Sequence, residues 1–571
     1  MTANAAIWYA LDGYDPKSKG INGRRVAGES FLRGFFAHAG AGEFVCLTHG
    51  PGDEQHFRDL AAREGVTCPI RGARLEDPVG IAPVRVVSYP SPNYAAECWR
   101  RAPWGHAAYA ICGITHTTAT KAVMQGMYDL RAAPQMPWDA VICTSQAVHA
   151  SISGQMDLTD EYLKSRFGGQ VPPRPLLPVL PLGVTCAEFA PDKAVGAALR
   201  ARLGIGADDI ACAIIARLTP HEKFDPLPLY LALSRAQRQA GRRFHLLLCG
   251  QFRDDYARKV FTEGAAGMMP DVGFHLLDGA DAAERKATLS GADIFLFPID
   301  NVQETFGLAP IEAMAAGLPL IVSDWDGMKD TVTPDVGIRI PTEVPRGDLT
   351  VYLGQRHFGG TDSYVQYVSQ LSALTRVDVR ALTVALVALG GNPALRATMG
   401  RAGQARARAF YDWSVVVPQM QALWAEQALM LDKALAAGRL PPPPHVGKLP
   451  PRASTRHSFV IGGTQAGYCV GPPGLEMHST TSHAQVLSDA TAGVDCTAAP
   501  TKAVASAKLK AFIAFSLVIE IYAHITMRGK GKPKTPICCC NVCQGPIGYG
   551  HPHIRNRARH AARRLTAAYR F

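Results

Sequence analysis

The sequence predicts an α/β protein built from two parallel-sheet domains and followed by a basic extension. Three observations carry this. Short continuous apolar runs, of the kind found in strands buried on both faces, alternate with helical stretches. A chain of 571 residues is too long for a single core. The charge is lopsided: residues 441–571 hold 16 Lys+Arg and 4 Asp+Glu, a surplus of +12 that leaves residues 1–440 at −1 within a total of +11. With 47% hydrophobic and 19% charged residues the body is globular and neutral, so any question of nucleic-acid binding moves to the tail.

The first strand is AIWYAL, residues 6–11, and its loop DGYDPKSKGINGRR places Gly20, Gly23 and Arg24 before a helix. In that helix Val26, Phe31 and Phe35 are expected to turn inward. Further strands are expected at 43–48, 84–88, 109–115 and 139–144. The run YAICGIT leads straight into His116, which puts that residue at a strand's carboxyl end, where open α/β sheets bind ligands. As a lone residue it reads more readily as a structural histidine. In WDAVICTSQAVHASI, Ser145 suits a helix N-cap. LPVLPLGV, residues 177–184, closes this half, so the first domain is expected to span 1–185.

The second domain, expected over 186–413, opens on a strand at 210–216 that delivers Arg217 and then Lys223. FHLLLCGQF at 244–252 is another strand, with Gly250 near its end allowing close backbone approach. The clearest stretch is ADIFLFPIDNVQETFGLAPIEAMAAGLPLIVSDWDG, residues 292–327. Ile294–Phe297 is a buried strand ended by Pro298; a loop carries Glu304; a helix opens near Leu308 with Pro310 in its first turn and closes at Gly317. Small residues at Ala313, Ala315 and Ala316 let the helix lie close to a sheet, and 320–322 is the next strand. Glu304 and Glu312, the latter expected in the first turn, flank a helix N-terminus suited to anions, with Gly307 allowing close approach.

The segment Glu304-Thr-Phe-Gly-Leu-Ala-Pro-Ile-Glu312, continued through Ala313-Met-Ala-Ala-Gly-Leu-Pro319, resembles the E-x7-E motif of the retaining GT-B glycosyltransferases of family four. The resemblance spans about residues 6–436. It implies two Rossmann-like domains facing across a cleft, with Glu304 on the donor sugar's hydroxyls, the amides of Phe306, Gly307 and Leu308 at the sugar and diphosphate, and Glu312 on the nucleotide ribose. It also places Arg217 and Lys223 on the diphosphate, Gly250 along the nucleotide, Gly23 and Arg24 at the leaving group, and His116 near the reacting carbon. It further implies a nucleotide-sugar donor, a carbohydrate or lipid-linked acceptor, and no bound divalent ion. Asp324-Trp325-Asp326 looks like a metal-binding D-x-D, but its place after the helix makes Asp324 a turn former. Residues 341–376 depart from the family's short connection and read as an inserted loop or helix pair, and a helix at about 414–436 is expected to cross back onto the first domain.

PPPP at 441–444 opens a linker, and disorder is expected to about residue 500. Beyond it, Cys538, Cys539, Cys540 and Cys543 with His551 and His553 form a possible zinc knuckle lacking a second ligand pair. The closing run, with six Arg and no acid, suits an anionic membrane; nucleic acid is not expected as a partner. The apolar stretch 511–525 holds Glu520 and His524 and is short for a span, which wants ~20 residues. The N-terminus lacks a basic n-region, and body cysteines lie mostly in strand runs, so a cytoplasmic enzyme, peripheral at most, is expected. The function expected is retaining glycosyl transfer in polysaccharide or glycoconjugate synthesis. A sugar-nucleotide epimerase and a non-catalytic nucleotide-sugar-binding adaptor stay open as alternatives.

Overall fold

The computed structural model describes residues 4–14, 23–48, 50–74, 80–81 and 83–438; of Gly23 and Arg24 only the backbone is described. The expected linker, zinc knuckle, basic run and apolar stretch of the tail lie outside these residues, as does Gly20. Two six-stranded parallel sheets dominate.

The first sheet comprises β1 (Ala6–Tyr9), β2 (Phe44–Thr48), β3 (Ile70–Arg74), β4 (Val86–Tyr89), β5 (Ala110–Ile114) and β6 (Ala140–Ile142), in the order β3-β2-β1-β4-β5-β6. The second comprises β7 (Ile210–Leu218), β8 (Phe244–Phe252), β9 (Gly273–Asp278), β10 (Ile294–Phe297), β11 (Leu320–Ser323) and β12 (Gly337–Ile340), in the order β12-β11-β10-β7-β8-β9. Both follow the same doubly wound plan. The strand order therefore reverses between β1 and β4 in one sheet and between β7 and β10 in the other, and the diverging loops there leave a crevice at the carboxyl ends.

Continuous apolar strands force cover on both faces. On one face of the first sheet, Leu32, Phe35 and Phe36 of helix Gly23–His38 and Phe57 of helix Pro51–Arg63 pack together with Trp413, Val416 and Trp424 of helix Trp413–Ala437. The other face takes Tyr94, Cys98, Met127, Leu130, Ile152 and Met156. In helix Gly23–His38 only Phe35 of the three expected residues is fully inside; Val26 and Phe31 are half-buried, and the buried stripe runs through Ala27, Leu32 and Phe36. The second sheet has one continuous core.

Helix Trp413–Ala437 returns to the first domain. Asp412 caps it by accepting from Ser414 N at 3.0 Å, and its other carboxylate oxygen accepts from Cys186 N at 3.0 Å. Gln427 Nε2 donates to the carbonyls of Ile111 (3.2 Å) and Trp138 (2.8 Å), which satisfies the NH2 group, though not the oxygen, of a fully buried amide inside the first domain. Ser145 caps helix Gln146–Phe167, accepting from Val148 N at 3.2 Å. The stretch that departs from the family pattern is a helix pair, Gly347–Phe358 and Tyr364–Ala373, closed at its base by an antiparallel ribbon pairing Thr342–Glu343 with Arg376–Val377. The body cysteines are free thiols, buried except for the half-buried Cys68. Among the described residues no helix is long and apolar enough to cross a membrane.

Candidate active site

The switch point of the second sheet builds the charged centre of the site. β7 and β10 are neighbours, Ile294 pairing with Cys212, so the loops leaving their carboxyl ends lie side by side although 81 residues separate Lys223 from Glu304. Lys223 Nζ forms an ion pair with Glu304 Oε2, the two side chains exposing 14% and 16% of their area. Nζ also lies 4.6 Å from the centre of the Phe297 ring, the last residue of β10, so the ammonium sits between a carboxylate and an aromatic face. The loop is anchored behind them: Asn301 Nδ2 donates to the Glu222 carbonyl, and Asp225 N donates to Asp300 Oδ2 at 2.9 Å. Burial pushes the Asp300 carboxyl up to about 7.

Gly307 holds φ +84° at the start of helix Leu308–Ala315, a left-handed conformation that a side chain resists. Gly317, at φ +82°, ends the same helix in the same way. Phe306 turns its ring into the core against Tyr411, at a centroid distance of 5.9 Å, which leaves only its backbone for a ligand. Leu308 is half-buried at the first helical position.

Glu312 is the fifth helical residue, so it stands in the second turn and not the first. Its distance from the free amides removes the simple dipole role, since that effect fades within one turn. Burial raises its carboxyl to about 7, against a pull downward from Arg285. Such a carboxyl lacks a partner sufficient to hold its charge, which suits a group that acquires its partner from a ligand.

Arg217, near the end of β7, is not drawn into the Lys223–Glu304 pair. Its side chain is 54% exposed and reaches Glu222 Oε2 at 3.5 Å, while the other oxygen of Glu222 accepts from Arg253 Nη1 at 2.8 Å. Gly250 is needed for internal packing: a Cβ there would lie 2.1 Å from the Ala216 carbonyl, and Gly279 crowds its backbone from the other side. The close approach read from the sequence is thus made by the chain itself.

The first domain reaches this centre through the loop after β5. His116 Nε2 sits 3.1 Å from the Pro90 carbonyl, and the His116 carbonyl accepts from Thr305 Oγ1 at 3.0 Å. Gln303 Oε1 accepts from Thr118 N (3.2 Å), Ala119 N (3.0 Å) and the Thr117 hydroxyl. Gln146 N donates to Asp330 Oδ2 at 2.5 Å. Gly23 and Arg24 open helix Gly23–His38.

Several residues of the site went unread in the sequence. Gln303 and Thr305 flank Glu304 and tie its loop to the first domain. Tyr364, from the inserted helix pair, lies close to Thr117 and within electrostatic reach of Glu304, Arg217 and Glu222. His357 accepts from Lys121 N on Nε2 at 3.1 Å while Nδ1 donates to the Asp362 carbonyl at 3.2 Å, and it stacks on Tyr367 at 4.8 Å. Only the departure of 341–376 from the family pattern marked that region.

Asp324 pairs with Arg339 at 3.2 Å. Asp326 holds φ +44°, rare outside glycine, and burial with the charges of Glu304 and Asp330 raises its carboxyl to about 8. Among the described residues no cluster of His, Cys, Asp or Glu could hold a metal ion.

Two doubly wound domains joined by a returning helix, with charged side chains gathered where the second sheet reverses, make up the GT-B fold. Residues 197–345 match the family model of glycosyl transferases group 1. The chain is 27% identical over 266 residues to a GDP-mannose-dependent monoacylated alpha-(1-6)-phosphatidylinositol monomannoside mannosyltransferase of Corynebacterium glutamicum, covering 45% of this chain and 58% of that protein. It is 30% identical to a D-inositol 3-phosphate glycosyltransferase of Kineococcus radiotolerans over 29% of this chain and 41% of that one. The chain thus spans about half the length of the relatives it matches. Among solved structures, Anabaena HepE in complex with UDP aligns with 13% identity and a TM-score of 0.47, over 74% of this chain and 100% of that one. Sucrose-phosphate synthase from Thermosynechococcus elongatus aligns with 19% identity and a TM-score of 0.46, over 75% and 99%.

Proposed function

We propose that the chain transfers a sugar from a nucleotide-diphosphate donor to an acceptor hydroxyl with retention of anomeric configuration, in polysaccharide or glycoconjugate synthesis. The observation that carries this is the Lys223–Glu304 pair at the switch point of the second sheet, beside the helix start at Gly307. In this reading the domain 186–413 holds the donor and the domain 1–185 the acceptor. Lys223 and the helix-start amides neutralise the diphosphate as it departs, with Arg217 turning in from the rim. Their hold strengthens as charge grows on the leaving oxygen, so it lowers the barrier and not merely the ground state. These cations supply the positive charge that the leaving group requires, and no divalent ion is assigned.

Glu304, released from Lys223 by the entering diphosphate, accepts from sugar hydroxyls, and Glu312 accepts from the ribose. The acceptor attacks from the face that the phosphate leaves, whose oxygen takes the acceptor's proton, so no protein base is named. The names of the relatives favour a GDP-linked mannose and an inositol-containing or lipid-linked acceptor. The basic closing run would add contact with an anionic membrane face.

The test is transfer from a panel of UDP-, GDP- and ADP-sugars, with the product anomer read by NMR. Retained configuration, and loss of about two orders of magnitude in Glu304→Ala and Lys223→Ala, support the reading. Near-wild-type transfer by both variants overturns it.

A further inference from the structure

We propose that the inserted helix pair is a strap between the two domains: rooted in the second, it is fastened to the first by the bond of His357 to the Lys121 amide, which makes His357 a positioning residue for the donor. The word donor rests on the glycosyltransferase reading above. The strap rests on its own bonds.

The strap is braced internally. Its base is the ribbon pairing Thr342 with Val377 and Glu343 with Arg376, closed by Asp378 N, which donates to the Pro341 carbonyl at 3.0 Å. Leu353 and Val368, one on each helix, are buried. The turn between the helices is locked by Asp362, whose carboxylate accepts from Arg356 Nε (2.8 Å) and Nη2 (2.7 Å) and from Gln370 Nε2 (3.3 Å). Ser363 and Gln366 form a capping box that starts the second helix.

His357, one turn beyond Leu353, is buried and stacks on Tyr367 with 7° between the ring planes. Nδ1 faces the Asp362 carbonyl at 3.2 Å; a carbonyl only accepts, so Nδ1 carries the proton and Nε2 keeps its lone pair. That lone pair takes the Lys121 N–H at 3.1 Å. Lys121 is the first residue of helix Lys121–Ala132, and its amide is one of those that a helix cannot bond internally. The N-cap, Thr120, accepts from Val123 N at 3.2 Å, so the partner of Lys121 comes from the other domain. The same arrangement recurs at helix Gln146–Phe167, where Asp330 of the second domain accepts from Gln146 N at 2.5 Å. The helices that follow β5 and β6 thus both start against second-domain side chains. Lys121 Nζ adds a further hold, 5.7 Å from the centre of the Phe358 ring.

The strap fastens a wall of the candidate site. Residues 116–119 bond Gln303 and Thr305 on either side of Glu304, and Lys121 lies two residues further along the same loop. Tyr364, its ring 6.1 Å from that of His357, lies close to Thr117 and within electrostatic reach of Glu304, Arg217 and Glu222. Releasing His357 therefore loosens the loop that positions Glu304 and lets Tyr364 withdraw with the strap. A binding-competent arrangement that is populated less binds its ligand proportionally more weakly.

The experiment removes the bond from each side in turn, in the full chain, with folding checked by circular dichroism. His357→Phe keeps a stacking ring and loses the acceptor, whereas His357→Gln keeps an acceptor. Lys121→Pro deletes the N–H at a first helical position, where proline is tolerated, after a Thr120 already extended at φ −70° and ψ 145°. Hydrogen exchange read by mass spectrometry should be at least about fivefold faster over residues 353–373 in His357→Phe and in Lys121→Pro, and near wild type in His357→Gln. Calorimetry uses whichever of GDP-mannose, UDP-glucose and ADP-glucose binds the wild-type chain. Affinity should fall about tenfold in His357→Phe and in Lys121→Pro, fall no further in the double variant, and recover in His357→Gln. Unchanged exchange in the two folded single variants overturns the strap. Faster exchange with unchanged affinity overturns the positioning role, and losses that add in the double variant overturn the pairing of His357 with Lys121. Binding of none of the three nucleotide sugars by the wild-type chain would remove the transferase reading instead, and exchange alone then decides the strap.

Discussion

Replacing Lys223 by Met keeps the stem and removes the charge, leaving Glu304 beside Asp326 without its ion-pair partner. Two unit charges 4 Å apart interact by about 4 kcal/mol at the permittivity suited to pairs near a protein surface. Removing one member of a fully buried pair costs about 3–5 kcal/mol, because the survivor stays desolvated. Here 14% and 16% of the two side chains remain in contact with solvent, and Phe297 covers Nζ. A cost of about 2–3 kcal/mol is therefore expected for Lys223→Met or Glu304→Gln alone. The double variant has no orphaned charge, so its loss should fall short of the summed losses by about 1–2 kcal/mol. Urea unfolding of the four proteins at pH 7 measures this coupling. Transfer should behave oppositely. The two groups address different parts of the donor, so the double variant should stay at least about a hundredfold down in kcat/KM despite its recovered stability. Strictly additive stability losses would show that the pair is not coupled. Activity that recovers along with stability would show that the pair is structural, and the assignment of both residues would fall.

Two further outcomes follow from the carboxyls that burial disturbs. With the Glu312 carboxyl at about 7, a ribose held by the carboxylate should bind nucleotide sugar about tenfold more tightly at pH 8 than at pH 6, as the ionised fraction rises, and Glu312→Gln should flatten that slope in calorimetric titrations. For stability the sign is reversed. A carboxyl raised in the folded state keeps a proton that the unfolded chain has released, so folding weakens as pH climbs from the unfolded value toward the folded one. His245 and His275, depressed by burial, oppose this only below about pH 6.5, the ordinary imidazole value. Between pH 6.5 and 8 the melting temperature should thus decline with Asp326, whose carboxyl is at about 8, and Asp326→Asn, neutral and tolerant of positive φ, should reduce the decline. An unchanged slope in that variant would show that Asp326 is not the titrating group.

The central strands were legible because their sequences are continuous apolar runs, which few other environments accommodate. IFLF of β10 and LIVS of β11 are buried at every position. The strands that escaped notice are IRGAR of β3, GFHLLD of β9 and GIRI of β12, and all three lie at sheet edges. An edge strand has one neighbour and a partly wet flank, so it tolerates arginine and glycine and loses the apolar signature. The candidate site divides in the same way. Glu304, Gly307 and Glu312 announce themselves by spacing along one loop and helix. That Lys223 meets Glu304 depends on β7 and β10 being neighbours, a fact of strand order. Gln303 and Tyr364 were not legible at all, because their meaning lies in contacts across the cleft with Thr117, Thr118 and Ala119, which no local pattern encodes.

Those contacts bear on how the two domains are held together. Along the loop after β10, Gln303 and Thr305 send their side chains to the first domain and Glu304 sends its own to Lys223 of the second. Alternation of this kind makes one short segment answer to both domains. Separating the domains would break the bonds of Gln303 to Thr117, Thr118 and Ala119 and that of Thr305 to His116, freeing the two neighbours of Glu304 at once. Conversely, anything that shifts residues 116–119 moves the backbone on either side of Glu304. His116 lines an apolar cleft of the first domain, so the path from that cleft to the loop of Glu304 runs through one carbonyl and one hydroxyl. The two domains are therefore coupled through residues 303–305, and the placement of Glu304 depends on the first domain as well as on its own.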